Sequence, residues 1–338
     1  MSAFGSSQRD IHFTFDTVLS WGETANGTWT LRAFDNAAGL AGKLDDWQIT
    51  LIGKAATRDD VYVYTNEYPD ISGANASRGV LVDLDGGNNT INAAALGLDN
   101  RIDLSGRTIS VLNGANLTIA AGTLIRSVVG GDGNDTLIAS DRGSELRGMR
   151  GNDTLVGGAS LDFALFRGNR ADARITKNQS GWKIVTALDG TDTLIAIERV
   201  AFPDLSVALD IDGNGGLVAR VLGAVFGNPS LTNKTYVGIG LYYLDTGLSY
   251  ESLMSLALDA RLGTGYSNSA LVSLLYTNVV GVAPTPADVS TFTGLIDAGS
   301  FTRVGLALFA ANTDLNASGI GLVGISESGL EYVQFLPT

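Results

Sequence analysis

The 338-residue chain has no cysteine and a single histidine, His12. Without cysteine it can form neither a disulfide nor a thiolate metal site. With one histidine it cannot build a paired-histidine zinc helix. A Ser-His-Asp triad would have to use His12, which lies in the strand-like stretch "DIHFTF". No GxSxG nucleophile motif is present. Acid pairs of the glycosidase kind remain conceivable, but the conspicuous aspartates lie in glycine-rich loops. Positive charge is also scarce. Lys and Arg number 22 against 35 Asp and Glu, for a net charge of −13. Such a chain lacks the basic face that nucleic acid requires and is expected to have no nucleic-acid partner. No apolar run reaches 18 residues, so no membrane span is expected. The opening "MSAFGSSQRDIHFTF" shows no charged leader followed by an apolar stretch. Export would need a route other than a conventional signal peptide.

Glycine, by contrast, is abundant, with 43 residues. "GNDTL" occurs twice, 18 residues apart, at 133–137 and 151–155. Cut in nines from Gly130, the stretch reads GGDGNDTLI, ASDRGSELR, GMRGNDTLV, GGASLDFAL. The sixth place holds Asp135, Ser144, Asp153 and Asp162, and the eighth holds Leu137, Leu146, Leu155 and Ala164. Glycine permits tight turns with carbonyls pointing outward. A carboxylate at the sixth place is the hard oxygen donor that Ca²⁺ prefers. An apolar eighth residue suits a narrow core between two sheets. Two nonapeptides would make one coil of a parallel β-roll, so loops 18 residues apart stack. Asp135 and Asp153 are expected to face one ion, with Asp132 and the loop backbone at Gly131, Gly133, Gly148 and Gly151 around it. Asp141 and Asp162 form a second, less complete pair. "DIDGNG" at 210–215 opens like an EF-hand loop, but its twelfth place is Val221 instead of the bidentate Glu, so a turn leading into a new unit is expected.

The rest of the chain divides by period and charge. Residues 1–55 alternate like strands of a partial jelly roll, and 56–84 read as a link with a strand at "VYVYTNEY". Residues 85–210 carry short strands around the repeat, with "NQSG" at 178–181 as a hairpin turn. Residues 211–338 hold only 13 of the 57 charged side chains and switch to helical spacing. Leu217, Val221, Leu222, Val225 and Phe226 share one helical face, and Leu271, Leu274, Leu275 and Val279 share another. Thr285-Pro286-Ala287-Asp288 is a helix start; Gly299 ends that helix and Ser300 caps the next. Gly227 and Gly281 follow similar helices, which suggests a helical unit of roughly 50 residues used twice. The fold class expected is therefore multidomain, mainly β plus α: jelly-roll strands, a β-roll, then a helical domain.

These segments resemble known families. "WGETANGTWTLRAFDNAAGLAGKLDDWQITLIG" (21–53) is similar to the end of the P (Homo B) domain of subtilisin-like proprotein convertases, through Gly27, Trp29, Leu31, Asp35, Leu44 and Trp47. Only about the last third of such a domain is matched, so the chain reads as truncated. The nonapeptides match the GGxGxDxLx signature of RTX proteins. The stretch from "DGGNNTINAAALG" to "GGDGNDTLIAS" is similar to the C-terminal region of serralysin-type proteases. There a GGNDT segment implies another calcium ligand; here the site would be Gly87 and Asn89, with Asn89 in place of the Asp. The helical part resembles an uncharacterised domain found behind RTX repeats. Together the resemblances imply a secreted, calcium-binding, non-catalytic C-terminal region of a subtilisin-like protease. They further imply passage through a type I secretion apparatus and a protease domain upstream. The other readings are a free-standing adhesin-like or S-layer-like surface module and a complete enzyme of unknown type. The ending "GLEYVQFLPT" suits either an uncleaved export signal or a strand.

Overall fold

The structure is a computed structural model that describes residues 30–31, 46–50 and 57–336. Apart from those short pieces, the expected jelly-roll segment lies outside the described residues, and so does His12.

The first part is built of short strands. They are β1 (Val61–Val63), then after helix α1 (Tyr68–Ala74) β2 (Val80–Leu81), β3 (Asn89–Asn92), β4 (Arg101–Asp103), β5 (Ser110–Leu112) and β6 (Ala115–Ile119). The glycine-rich stretch follows with β7 (Ile125–Val129), β8 (Thr136–Ile138), β9 (Glu145–Arg147), β10 (Thr154–Val156) and β11 (Phe163–Leu165). The series ends with β12 (Arg174–Asn178), β13 (Gly181–Thr186), β14 (Gly190–Ile195), β15 (Arg199–Ala201) and β16 (Ser206–Ala208). Residues 56–84, read from sequence as a link with one strand, supply that strand as β1 and add α1 and β2. β1 pairs in parallel with β3, and β2 with β6.

From β7 to β11 consecutive strands alternate between two sheets. β7, β9 and β11 lie side by side in one, and β8 and β10 in the other. All these pairs are parallel, with Leu155 beside Leu137 and Leu146 beside Val128. The middle residue of each three-residue strand points inward. Leu137, Leu146, Leu155 and Ala164 are all at most 1% exposed. Each buried leucine contributes ~1.5–3 kcal/mol, which is how such short strands persist. Between β11 and β14 the chain makes an excursion. β12 and β13 form an antiparallel hairpin that closes at Asn178 and Gly181, where "NQSG" placed a turn. The apolar run "TLIAIERVAF" spans two strands, β14 and β15, which enter different sheets.

Helices follow: α2 (Asn214–Phe226), α3 (Lys234–Asp245), α4 (Tyr250–Leu262), α5 (Asn268–Val280), α6 (Pro286–Asp297), α7 (Arg303–Ala311), α8 (Asp314–Gly319) and α9 (Leu322–Ser328). Their starts are written in the sequence. Asn233, Ser249, Ser267, Thr285, Thr302 and Thr313 each accept a backbone N–H of the first turn. Thr285 and Asp288 form a full capping box. The helix after Gly299 is capped by Thr302, two residues beyond the expected Ser300, because its hydroxyl reaches Gly305 N at 2.9 Å. α2 is the central helix, with Val218, Val221, Leu222 and Val225 in the core.

The last strand, β17 (Leu330–Tyr332), returns to pair antiparallel with β16. Its Glu331 bonds ionically to Arg170 of the excursion and Lys234 of α3. The Arg199 guanidinium, fully buried, joins β15 to Asp210 and to Asp245 at the end of α3.

Candidate metal centre

The loops that enter β4, β8, β10 and β14 stack along one edge of the sheets. Each brings an Asx side chain to the same level: Asn100, Asp135 and Asp153 just before their strands and Asp192 inside the start of β14. These side chains tie adjacent coils together. Asp135 Oδ1 accepts the Asn100 backbone N–H at 2.7 Å, Asp153 Oδ1 that of Asp135 at 2.8 Å, and Asp192 Oδ1 that of Asp153 at 2.8 Å. An outer ladder runs beside it. Asn134 N–H donates to Asp99 Oδ1, Asn152 N–H to Asn134 Oδ1, and Thr191 N–H to Asn152 Oδ1. Asp135 and Asp153 are therefore adjacent, as the 18-residue interval requires.

The aspartates pay for this position in desolvation. Asp135, Asp153 and Asp192 are each 1% exposed. Burial, with the neighbouring charges of Asp135 and Asp189, pushes the Asp153 carboxyl up to about 7. Burial together with Asp153 and Asp189 pushes Asp192 up to about 8. Asp135 is also raised by burial, an effect opposed by the N–H groups it accepts. Its second oxygen takes the Gly131 N–H at 2.6 Å. Asp153 Oδ2 has no partner at all. That oxygen sits against Gly148, where a Cβ would lie 2.0 Å away. Gly151, at φ +123°, brings its backbone so close to Gly133 O that a Cβ would lie at 2.0 Å. Gly131 and Gly133 press in the same way on the loop at Leu96 and Leu98.

The remaining expected residues fall as follows. Asp132 is exposed and paired with Arg150 at 3.1 Å. Asp141 is exposed and paired with Arg107. Asp162, on the opposite edge, is fully buried and takes the N–H groups of Ser144 at 2.6 Å and Gly158 at 2.5 Å. Its own N–H donates to Glu198 Oε2 at 2.9 Å. Burial raises Asp162 to about 6. Asn89 is fully buried and its amide is fully engaged. It accepts the Asp60 N–H at 2.8 Å and donates to Gly86 O and Leu124 O. Gly87 packs on the Arg58 backbone.

Sequence reasoning missed Asp192. "GTDTLI" at 190–195 is a third copy of the "GNDTLI" pattern, offset because the β12–β13 excursion separates it from Asp153 by 39 residues. Matching the motif without a fixed period would have found it. Also missed was a group at the other end of the sheets. Carboxylate oxygens of Asp60, Asp83 and Asp85 lie within 4.8 Å of one another, and Tyr62 Oη donates to Asp83 at 2.8 Å.

Comparison with known families agrees with two of the resemblances, to the P domain and to the serralysin C-terminal region. Residues 2–51 match the family model described as Proprotein convertase P-domain. Residues 54–195 match that described as Peptidase M10 serralysin C terminal, from before β1 to the end of β14. No curated protein matches the chain.

Proposed function

We propose, from a chain that carries a P-domain segment ahead of a serralysin-type C-terminal region, that it is the calcium-binding, non-catalytic C-terminal part of a secreted subtilisin-like protease. The observation that carries this reading is the row of buried aspartates with one unpartnered oxygen, Asp153 Oδ2. Buried carboxylates held side by side repel each other unless a proton or a cation intervenes. The donors are carboxylates and loop carbonyls, which suit a hard divalent cation. Asp135, Asp153 and Asp192 would hold Ca²⁺, with loop oxygens near Gly131, Gly133, Gly148 and Gly151. Bound calcium would supply positive charge at the buried carboxylates, which Arg150, paired outside with Asp132, does not provide. The stacked coils would then be a β-roll of the RTX kind.

Calcium that binds only the folded form stabilises it by RT ln(1+[Ca]/Kd). For Kd of ~10⁻⁴–10⁻³ M, typical of extracellular modules, millimolar calcium adds roughly 0.4–1.4 kcal/mol per site. The coils would be weakly folded where calcium is scarce and would consolidate outside the cell. This suits export through a type I apparatus and a role in stabilising an attached protease. The two family matches favour this over a free-standing surface module, since both families are named for proteases. Calorimetric titration and circular dichroism of the chain in chelator, calcium and magnesium test the reading. Heat of binding and a gain of strand signal are expected with calcium. No heat and an unchanged spectrum would dispose of it.

A further inference from the structure

The loops before β8, β9, β10 and β11 share a local device, and one of them lacks it. In three of the four, the N–H four residues before the sixth-place side chain closes a turn onto it. Gly131 N–H donates to Asp135 Oδ2 at 2.6 Å, Ser140 N–H to Ser144 Oγ at 2.9 Å, and Gly158 N–H to Asp162 Oδ2 at 2.5 Å. The corresponding residue for Asp153 is Met149. Its backbone stands in the left-handed region at φ +78°, which neither Gly131, Ser140 nor Gly158 adopts. A side chain as large as methionine rarely takes that conformation. Asp153 Oδ2 is the oxygen left over, buried and without a donor.

We propose that Met149 is the residue that opens this coil to a cation, by withholding the N–H that would otherwise satisfy Asp153 Oδ2. Asp135 and Asp162 have both oxygens committed to backbone N–H groups. Asp153 alone of the three offers a free oxygen, and it does so beside Asp192, whose Oδ1 holds the Asp153 N–H at 2.8 Å. The cation gap therefore centres on Asp153 and extends toward Asp192, across the excursion. The closed form at Gly131 and Gly158 leaves little room for a side chain: a Cβ would lie 2.2 Å from Leu96 O in the first and 2.3 Å from Ser140 O in the second. A glycine there could relax to the Gly131 form and close the turn onto the carboxylate. The inference rests on the calcium reading for the identity of the ion, but the control of Asp153 by Met149 is separable from it.

The test uses the full chain and thermal melting in chelator and in millimolar calcium. Met149→Gly is expected to raise the midpoint in chelator by about 2–4 °C and to weaken calcium binding about tenfold, the worth of one hydrogen bond to a charged acceptor. Relief of backbone strain alone would also raise the midpoint, so the same change is made in Asp153→Asn. An amide nitrogen at the Oδ2 position cannot accept the N–H, and the gain should shrink in that background. An equal gain in both backgrounds, with the calcium-induced rise untouched by Met149→Gly, would overturn the proposal. Asp153→Asn is itself expected to lose the calcium-induced rise, and its retention would also count against the proposal. If the parent chain shows no calcium-induced rise, the calcium reading falls. The double-mutant comparison in chelator then still decides whether Met149 controls the Asp153 oxygen.

Discussion

Asp153 and Asp162 occupy the same place in their nonapeptides and live in different surroundings. One has a free buried oxygen and the other has none. Both are raised, together with Asp192, so the folded chain holds protons that the unfolded chain has already released. Between the ordinary carboxylate value near 4 and about 6, 7 and 8 for Asp162, Asp153 and Asp192, the folded state binds more protons than the unfolded one. Stability in chelator should therefore fall as pH rises from about 4 to about 8. Calcium, by favouring the ionised form, should flatten that fall. Melting midpoints across this range, with and without chelator, check the sign; a midpoint that climbs with pH in chelator contradicts it. The sixth-place aspartates were legible in the sequence because carboxylate, glycine and leucine recur at fixed offsets. The difference between them was not. It depends on one backbone dihedral, at Met149, and sequence records only that a glycine is missing.

At the scale of the element, strands of three residues survive by stacking. Leu155 is 1% exposed, pairs in register with Leu137 and Leu194, and faces the opposite sheet. Leu155→Ala should cost about 2–5 kcal/mol, and denaturant melts in calcium and in chelator should show a similar loss in both. A loss confined to chelator would mean the leucine acts through the ion loops instead of through packing. The alternation of strands between sheets was legible from the 18-residue interval alone. The helices were legible from their caps and glycine stops, such as Thr285 and Gly281. The β12–β13 hairpin was legible from its turn at "NQSG"; what escaped was its being an excursion, after which β14 returns to stack on β10. It breaks the period, so Asp192 looked unrelated to Asp153, and contacts between residues 39 apart follow no local rule. The strand expected at "VYVYTNEY" is β1, but β2 escaped for a similar reason: it is too short to show alternation and is fixed by pairing with the distant β6.

For the whole molecule, the joint between sheets and helices rests on a buried charge. Arg199 is fully enclosed and bonds Asp245 through Nη2 at 2.8 Å and Nε at 3.2 Å, with Asp210 on its other nitrogen. Removing one partner of such a group leaves the others desolvated and uncompensated, at a cost of about 3–5 kcal/mol. Arg199→Met should lower the unfolding free energy from denaturant melts by that much and expose the segment around Asp212 to protease. An unchanged midpoint and digestion pattern would show that the joint is held by packing alone. The change of composition near residue 210 lies between β16, which ends at Ala208, and α2, which starts at Asn214. That an arginine inside "IERVAF" spans the joint was not readable, because its partners lie 11 and 46 residues away.

β17 covers the flank of β16 with residues 330–332, although every helix from α2 to α9 lies between the two strands. A chain shortened by its final ten residues would leave that flank bare, with a row of unclaimed N–H and C=O groups facing water. Such a flank is a template for the missing strand of any neighbour. The tail thus acts as a stopper on this side of the sheet, and its loss would offer that side as a docking strip for a neighbouring chain.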